Sequence, residues 1–282
     1  MSLGLTHPSA ASPDTTGRGA ERPPGPPDTV PVTTTCTTYD AHGDLDTLRD
    51  VLGRADAVLL DFDGPVCDLF RGACTAYIAD EVKERARREW GRLDAGVRDC
   101  ADSHGVLRCL ADMAVRRTGD HRGTRLSWAD DIVTRHEYKA VNQAAPTPGA
   151  RELVHTLAGL GKALMIVSNN AAGPVREYLE QQGLLHHFTA VLGRDPEDPH
   201  LMKPHPDVVT RALTELGGPS PSRTLLIGDQ LTDLTAARAA KVPFLGFTPD
   251  KKTEALMRDE GARDVVGSFE PVMQALSVPA SC

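Results

Sequence analysis

Short apolar runs that end in polar or acidic residues recur along the chain. The first, AVLLDFD at residues 57–63, is followed by Gly-Pro, which favours a turn. Short apolar runs bounded by turn residues are typical of buried strands in a parallel sheet. Further runs of this kind are ALMIVSNN at 163–170, TLLIGDQ at 224–230, VPFLGF at 242–247 and a weaker one, TAVLGR, from Thr189.

Helical patterns of apolar residues separate these runs. They cover residues 149–160, 174–182, 205–216 and 231–240, and a short amphipathic helix is predicted at 45–52, before the first run. Alternating strands and helices predict an α/β fold, with a Rossmann-like parallel sheet covered by helices on both faces. Ligands of such folds bind beyond the carboxyl ends of the strands.

Residues 68–146 interrupt this alternation. Apolar residues recur there at helical spacing, and no strand is predicted. Ser127 and Asp130 have the spacing of an N-terminal capping box for a helix near Trp128. We therefore predict an α-helical insertion directly after the first strand, which lies over the carboxyl edge of the sheet as a cap. Its two apolar stripes are Cys74, Ile78, Val82 and Ala86, and Val106, Leu107, Leu110, Met113 and Ala114.

The predicted domain organisation has three parts. Residues 1–37 are rich in Pro, Thr, Ser and Gly and lack apolar periodicity, so we expect a disordered tail. Residues 38–67 and 147–282 are predicted to form the α/β core domain. Residues 68–146 are predicted to form the α-helical cap domain.

Composition narrows the range of partners. The net charge of −8 and the pI near 5.7 argue against a nucleic-acid polymer, because binding its phosphates requires clustered Lys and Arg. The six cysteines are scattered without a CxxC pair, which indicates neither a zinc site nor a disulfide framework. No run approaches the roughly 20 apolar residues of a membrane span, and no signal peptide is recognised. We therefore expect a cytoplasmic protein that acts on a small molecule, in an oligomeric state that the sequence leaves open.

Two carboxylates, Asp61 and Asp63, end the first predicted strand. Holding two carboxylates at a buried strand end is costly unless a cation or hydrogen bonds compensate them. In a phosphoryl-transfer reaction one of them would attack phosphorus, and the other would protonate the leaving oxygen and later deprotonate water. Acidic strand ends are also common without a function, so the pair alone leaves both interpretations open.

Asp229 and Asp233 place two more acids at the same predicted edge, where the run at 224–230 ends and a helix begins. In the alternative interpretation, Asp229 caps the helix and Asp233 is exposed. Mg²⁺ prefers a few carboxylates together with phosphate oxygens and water. Four acids that converge on one edge therefore predict a Mg²⁺ site.

Polar residues also follow other elements at this edge. Ser168 and Asn169 end the run at 163–170, where a hydroxyl and backbone N–H groups can bind phosphoryl oxygens. Lys203 precedes a helix in a loop with two prolines, and its charge can neutralise a nucleophile and a transferring phosphoryl group. Each is individually weak, since SN is a common turn and most lysines are solvated.

The segments hhhDxDG, hhhSN, KPxPD and GDxxxD, in this order, resemble the haloacid dehalogenase-like superfamily over about residues 57–270. The segments PTPGARELVHTLAGLGKALMIVSNN and KVPFLGFTPDKKTEALMRDEGARDVV are similar to its phosphoglycolate-phosphatase-type branch, in which a helical cap follows the first motif. The resemblance implies a Mg²⁺-dependent phosphatase that hydrolyses a small phosphorylated metabolite, a phosphate monoester, through a phosphoaspartate.

The resemblance also implies a role for each motif residue. Asp61 would be the nucleophile and a Mg²⁺ ligand, and Asp63 would be the general acid/base and offer its backbone carbonyl to the metal. Lys203 would orient and stabilise Asp61. The other implied roles are phosphate or substrate binding for Gly64, Ser168 and Asn169, and Mg²⁺ binding, direct or indirect, for Asp229 and Asp233.

One departure from the family pattern is Pro65, which removes a backbone N–H from the loop after the first strand. Asp63 argues against dehalogenation, because dehalogenases of this family lack the second aspartate. A sugar-phosphate mutase, a phosphonate hydrolase and a non-catalytic binding protein are the alternatives. His121, Arg122 and Arg125 are candidates for contacting an anionic substrate from the cap.

Overall fold

A six-stranded parallel sheet forms the centre of the protein. The computed structural model describes residues 41–118 and 126–277. The strand order is β5-β4-β1-β6-β7-β8, and a separate antiparallel pair consists of β2 and β3. The strands are β1 Ala57–Leu60, β2 Cys67–Asp68, β3 Ala145–Pro146, β4 Ala163–Val167, β5 Phe188–Leu192, β6 Thr224–Gly228, β7 Phe244–Phe247 and β8 Asp264–Val266.

Helices fill most of the chain between the strands. Short 3₁₀ turns also lie between them, at Leu185–His187, Pro199–Leu201 and Pro221–Arg223. The α-helices are α1 Ala41–Arg54, α2 Ala76–Trp90, α3 Ala95–Asp99, α4 Ser103–Thr118, α5 Ser127–Val141, α6 Ala150–Gly159, α7 Ala172–Gln181, α8 Asp207–Glu215, α9 Leu231–Ala239, α10 Lys251–Asp259 and α11 Glu270–Ser277.

Both faces of the sheet are buried, which explains why its strands are continuous apolar runs. Side chains alternate between the faces of a strand. Val58 and Leu60 therefore join one hydrophobic cluster, with residues of α1, α6, α7 and α11, while Leu59 joins another, with residues of α8 and α9. The predicted fold class, a parallel sheet with helices on both faces and a helical insertion after the first strand, is confirmed.

The insertion between β2 and β3 consists of helices α2 to α5 and has its own core. Ile78, Val82 and Ala86 of the first predicted stripe are buried there, and so are all five residues of the second stripe. Met202, from the loop before α8, belongs to the same cluster, so the insertion packs against the segment that contains Lys203. Cys74 departs from the predicted stripe: it precedes α2 and is exposed.

Two local predictions differ from the structure. The short strands β2, β3 and β8 were not predicted, because two or three residues are too few to show a period of two. Ser127 and Asp130 do not form a capping box: α5 begins at Ser127, and Leu126 precedes it without a side-chain cap. The Asp130 carboxylate instead accepts a hydrogen bond from Arg194.

Some predictions fall on residues that the structure does not describe. The tail predicted at 1–37 and the candidates His121, Arg122 and Arg125 lie outside the described residues. Within residues 41–118 and 126–277, none of the helices has the length and apolar character needed to cross a membrane.

Candidate active site

The predicted site residues follow three neighbouring strands. Strand β1 lies between β4 and β6 and pairs with both in parallel, so their carboxyl ends meet at one edge of the sheet. Asp61 follows β1, Ser168 follows β4, and Asp229 follows β6. The edge therefore brings together residues that lie 61 to 168 positions apart in the sequence.

Lys203 joins two of the acids at this edge. Its Nζ lies 2.8 Å from Asp61 Oδ1 and 2.5 Å from Asp233 Oδ1, and it donates a hydrogen bond of 3.0 Å to the Val167 carbonyl. The side chains of Lys203 and Asp233 are 1% and 0% exposed, so water does not screen this contact. Burial alone would lower the pKa of Lys203, but Asp233 and Asp61 raise it, and the side chain is a fixed cation.

The position of Asp233 excludes the alternative interpretation of the sequence, in which its side chain is exposed. It is fully buried, and its Oδ2 accepts a hydrogen bond of 3.0 Å from the backbone N–H of Gln230. Gln230, rather than Asp229, is the residue that precedes α9 and forms a reciprocal capping box with Asp233. One carboxylate thus stabilises the start of the helix and the charge of Lys203.

Three carboxylates form a cluster suited to a cation. Oxygens of Asp61, Asp229 and Asp233 lie within 4.8 Å of one another. Burial raises the pKa of Asp61 to about 7, with a further increase from Asp233 and an opposing effect of Lys203. Burial and the charges of Asp61 and Asp233 raise the pKa of Asp229 to about 8. The crowding of negative charge is what a bound cation would relieve.

The donor set fits Mg²⁺. Asp229 Oδ1 is buried and has no hydrogen-bond partner among the described residues, so it is an available ligand atom. Mg²⁺ is usually bound through one or two carboxylates together with substrate phosphates and retained waters. Neither sulfur nor imidazole belongs to the described cluster, which makes it unlike a zinc site.

Asp63 occupies a different position from the three clustered acids. Its Oδ1 accepts a hydrogen bond of 2.8 Å from the backbone N–H of Leu69. Burial raises the pKa of Asp63 above its ordinary value; the hydrogen bond from Leu69 opposes this, and so does the charge of His104 on α4. A carboxyl group with a raised pKa can be protonated near neutral pH and so donate a proton.

The turn after β1 brings the backbone close to the acids. A Cβ on Gly64 would lie 2.4 Å from Asp229 Cγ, and the residue has a φ of 101°, so glycine is required on both counts. The turn around Pro65 closes without an N–H at that position, because the N–H of Val66 donates to the Phe62 carbonyl and that of Gly64 to the Cys67 carbonyl.

Ser168 and Asn169 lie beside this cluster, and their side chains already have partners. Ser168 is buried; its Oγ donates to Asn170 Oδ1 at 3.0 Å and accepts from the Asn170 N–H at 3.1 Å. Asn169 holds the backbone of Lys203, accepting from its N–H at 2.7 Å and donating to its carbonyl at 3.1 Å. The substrate contact expected for Asn169 stays a prediction.

The sequence analysis missed four polar residues close to these groups: His104, Glu137, Asn170 and Arg194. Glu137 had a visible signal. Val133, Glu137 and Val141 recur every four residues on the buried face of α5, so a carboxylate interrupts an apolar stripe. Arg194 lies in the loop after β5 and carried no comparable signal.

A cleft of about 470 Å³ opens beside the acids. It is lined by Asp63, Gly64 and Asp229, by residues of β2 and of the loop after β3, and by residues at the ends of β7 and β8, including Thr248 and Ser268. Clefts of about 300–1,000 Å³ hold ligands of small-molecule size.

Comparison with known protein families identifies the family that has these features. Residues 55–241 match the family described as haloacid dehalogenase-like hydrolase. The chain belongs to this family. The resemblance drawn from the four sequence segments is thereby confirmed, and the site described above lies within the matched range except for the cleft residues after β7 and β8.

Relatives and solved structures agree with the haloacid dehalogenase-like assignment. The phosphoglycolate phosphatase of Rhodospirillum rubrum is 36% identical over 202 residues, which cover 67% of this chain and 78% of the relative. The phosphoglycolate phosphatase of Salmonella typhi is 28% identical over 134 residues, 48% of this chain and 52% of the relative. The chain thus matches about half the length of the Salmonella relatives.

Two solved structures share the haloacid dehalogenase-like fold. A predicted phosphatase from Clostridium acetobutylicum has a TM-score of 0.54 at 20% identity, covering 79% of this chain and 98% of its own. CbbY from Rhodobacter sphaeroides in complex with phosphate has a TM-score of 0.53 at 19% identity, covering 79% and 100%. At these identities the likeness concerns the fold alone.

Proposed function

We propose that the protein is a Mg²⁺-dependent phosphatase that hydrolyses a small phosphate monoester through a phosphoaspartate on Asp61. One observation carries the proposal: the carboxylate of Asp61 is buried against the fixed cation Lys203 and beside two further acids, at the carboxyl end of the central strand. The packing of β1 does not require a buried carboxylate beside a lysine and two further acids. A nucleophile that attacks a bound phosphoryl group beside a cation does require one.

In the first step, Asp61 attacks the phosphorus atom of the substrate. Its Oδ1 is held by Lys203 and by the Phe62 N–H at 2.7 Å, so Oδ2 is the oxygen available for attack. A P–O bond to Asp61 forms while the bond to the ester oxygen breaks. Asp63, whose protonated form is favoured by burial, gives its proton to the ester oxygen, and the alcohol leaves.

In the second step, water hydrolyses the phosphoaspartate. Asp63, now a carboxylate, takes a proton from water as the water oxygen attacks phosphorus. Inorganic phosphate leaves, Asp61 is regenerated, and Asp63 is again protonated. Throughout, Lys203 stabilises the phosphoryl oxygens and keeps Asp61 in place. The Ser168 Oγ stays held by the Asn170 N–H while its proton turns from Asn170 Oδ1 to a phosphoryl oxygen.

Asp61, Asp229 and Asp233 would hold the Mg²⁺ ion, with the backbone carbonyl of Asp63 as a further ligand. When bound, the ion supplies positive charge that offsets the charge of the transferring phosphoryl group. The unpartnered Oδ1 of Asp229 and the raised pKa values of Asp61 and Asp229 support this assignment.

We propose a small phosphorylated metabolite as the substrate. The cleft of about 470 Å³ is of a size for such a molecule, and the net charge of −8 disfavours a nucleic-acid polymer. Phosphoglycolate is the first compound to test, because relatives from Rhodospirillum rubrum and Salmonella typhi are named phosphoglycolate phosphatases.

Asp61→Asn tests the proposal. With Mg²⁺ and a panel of phosphoglycolate, sugar phosphates, nucleoside monophosphates and phosphonates, we expect the wild type to release phosphate from at least one ester. The variant should lose at least about 10³-fold in kcat, because an amide is not a nucleophile. Asp56→Asn is the matched control: Asp56 lies at the other end of β1, is exposed and pairs with Arg223, so its loss should leave kcat unchanged.

Other outcomes would point elsewhere. Release of phosphate by Asp61→Asn at the wild-type rate would refute the nucleophile assignment. Transfer of the phosphoryl group to a second position of a sugar phosphate, without free phosphate, would identify a mutase, and turnover of phosphonates alone would identify a phosphonate hydrolase. A wild type inactive towards every compound would favour a binding protein.

A further inference from the structure

A buried ion pair joins the helical insertion to the core beside the catalytic edge. Arg194, in the loop after β5, donates from Nη1 to Glu137 Oε1 on α5 at 2.6 Å. The Arg194 side chain is 1% exposed and that of Glu137 is 0% exposed. An ion pair this deeply buried is a weak source of stability, since desolvation offsets much of the attraction. Its geometry therefore suggests a different role.

The Glu137 carboxylate binds the segment that follows β4. Its Oε2 accepts a hydrogen bond of 3.0 Å from the Ala171 N–H, and its Oε1 accepts one of 3.1 Å from Asn170 Nδ2. The other side of the Asn170 amide accepts the hydroxyl proton of Ser168. A carboxylate from the insertion thus fixes the amide that orients the Ser168 hydroxyl.

Arg194 acts on the same segment from the other side. Its Nη1 also donates to the Asn169 carbonyl at 3.2 Å, and the Asn169 side chain holds both backbone polar groups of Lys203. Arg194 is anchored on α5 by Asp130, at 2.5 Å, and by Thr134, at 2.7 Å.

One further contact links the insertion to the edge, and another joins its helices. His104 on α4 lies 3.2 Å from Glu137 Oε1 on α5. Arg108, one turn later on the same helix, donates to the Lys203 carbonyl at 2.7 Å. Helices α4 and α5 therefore both reach the segments that contain Ser168 and Lys203. Glu137 of α5 contacts the first of these segments and also His104 of α4.

We propose that Glu137 and Arg194 are positioning residues for phosphoryl transfer, which fix Ser168 and Lys203 in reacting geometry through Asn170 and Asn169. The inference rests on the proposed phosphatase function. Neither residue contacts Asp61 in the described structure, so both act through their neighbours. Displacement of a catalytic group by about 1 Å can cost on the order of 10²-fold in rate. The insertion is thus part of the catalytic framework as well as a cover for the site.

Glu137→Gln is the first test. The variant keeps the shape of the side chain but replaces an acceptor oxygen with a donor and removes the charge that faces Arg194. We expect kcat to fall about 10- to 100-fold for both phosphoglycolate and p-nitrophenyl phosphate, because the reacting geometry is lost for every leaving group, and KM to rise together with the dissociation constant of phosphate. The dissociation constant of inorganic phosphate, measured by calorimetry, should rise at least about tenfold.

The matched control is Glu81→Gln. Glu81 on α2 accepts from His136 on α5 at 2.7 Å and also pairs with Arg135, but its partners lie within the insertion. It should leave kcat and phosphate binding as in the wild type. A second variant, Glu137→Leu with Arg194→Met, removes both charges together, which is tolerated far better in a core than removing one. It should fold, with a lowered Tm because Asp130 and the Ala171 N–H each lose a hydrogen bond, and still show the loss in kcat when assayed well below that Tm.

The outcomes separate this inference from the proposed function. A folded double variant with wild-type kcat and phosphate affinity would overturn the positioning role while leaving the phosphatase proposal intact. A loss of activity that follows only the loss of Tm in both variants would equally overturn it. A wild type inactive towards all esters would refute the function first, and phosphate binding by the variants would then decide the positioning role without turnover.

Discussion

Gly64→Ala perturbs the closest approach between the turn after β1 and the candidate metal site. The new Cβ would lie 2.4 Å from Asp229 Cγ and 2.6 Å from Asp229 Oδ2, distances that real Cβ atoms do not adopt. Either the turn or the carboxylate must move. The residue also has a φ of 101°, which strains any side chain. The substitution therefore combines backbone strain with displacement of a metal ligand.

The expected loss of stability is the sum of the backbone strain and the overpacking. Left-handed backbone costs a non-glycine residue about 1–2 kcal/mol, and overpacking costs about 1–3 kcal/mol. The combined cost is about 3 kcal/mol, which lowers the Tm of a domain of this size by about 6–12 °C. Each 1.4 kcal/mol of misfit at the metal site is about a factor of ten in affinity. We expect a loss of at least about tenfold in Mg²⁺ affinity and in turnover.

Gly161→Ala separates the two terms. Gly161 also has a positive φ, 74°, but no atom lies within 4 Å of its added Cβ. This variant should lose only the strain energy of about 1–2 kcal/mol and keep wild-type turnover. Thermal unfolding and phosphate release titrated with Mg²⁺ measure both effects. The reasoning fails if Gly64→Ala keeps the wild-type Mg²⁺ dependence, or if the two variants lose equal activity.

Three further predictions concern the acids. Asp63→Asn should lower kcat/KM for phosphoglycolate by about 10²–10⁴-fold and much less for p-nitrophenyl phosphate, whose leaving group needs no proton; kcat/KM reports the first step alone, before the attack of water that Asp63 also assists, and equal losses in kcat/KM would contradict the general-acid role. EDTA should abolish phosphate release and added Mg²⁺ should restore it, whereas activity that persists in EDTA would exclude the metal site. Ionised Glu137 should stabilise the fold relative to its protonated form, although forming the buried pair from two solvated charges gains little: burial opposes ionisation, but the charge of Arg194 and the hydrogen bond from His104 lower the pKa of Glu137 from 4.5 to about 2. Because the pKa is lowered in the folded state, this stabilisation, about 3 kcal/mol at 1.36 kcal/mol per unit, is present above about pH 4.5 and is lost as the pH falls towards 2. Denaturant unfolding should therefore show the gap between wild type and Glu137→Gln shrinking between pH 7 and pH 3, and a constant gap would refute the low pKa.

The strands and the order of the motifs could be predicted from the sequence because both are local signals. Buried parallel strands need apolar side chains on both faces, so β1, β4 and β6 appear as continuous apolar runs. Parallel strands also share one carboxyl edge, which brings Asp61, Ser168 and Asp229 together before any coordinates are known. The four core helices α6 to α9 lie within two residues of their predicted bounds, since apolar periodicity extends over each of them, whereas α10 and α11 were not predicted.

Only the tertiary structure decided which residues of the insertion contact the core. Glu137 lies on a helix that the pattern predicts as amphipathic, and its partners Asn170 and Arg194 are 33 and 57 positions away. The packing angle of α5 against the core selects these partners, and no local preference encodes that angle. The same holds for Asp233, which the sequence left as a choice between an exposed residue and a ligand. Its burial follows from the approach of Lys203, a contact between a loop and a helix start that are separated by the whole of β6.

Apolar periodicity thus determined where the chain forms strands and helices and which acids share an edge, because a strand that is buried on both faces needs consecutive apolar residues. The fixed charges around those acids were decided by long-range packing, because each is stabilised only by partners that the fold brings from elsewhere.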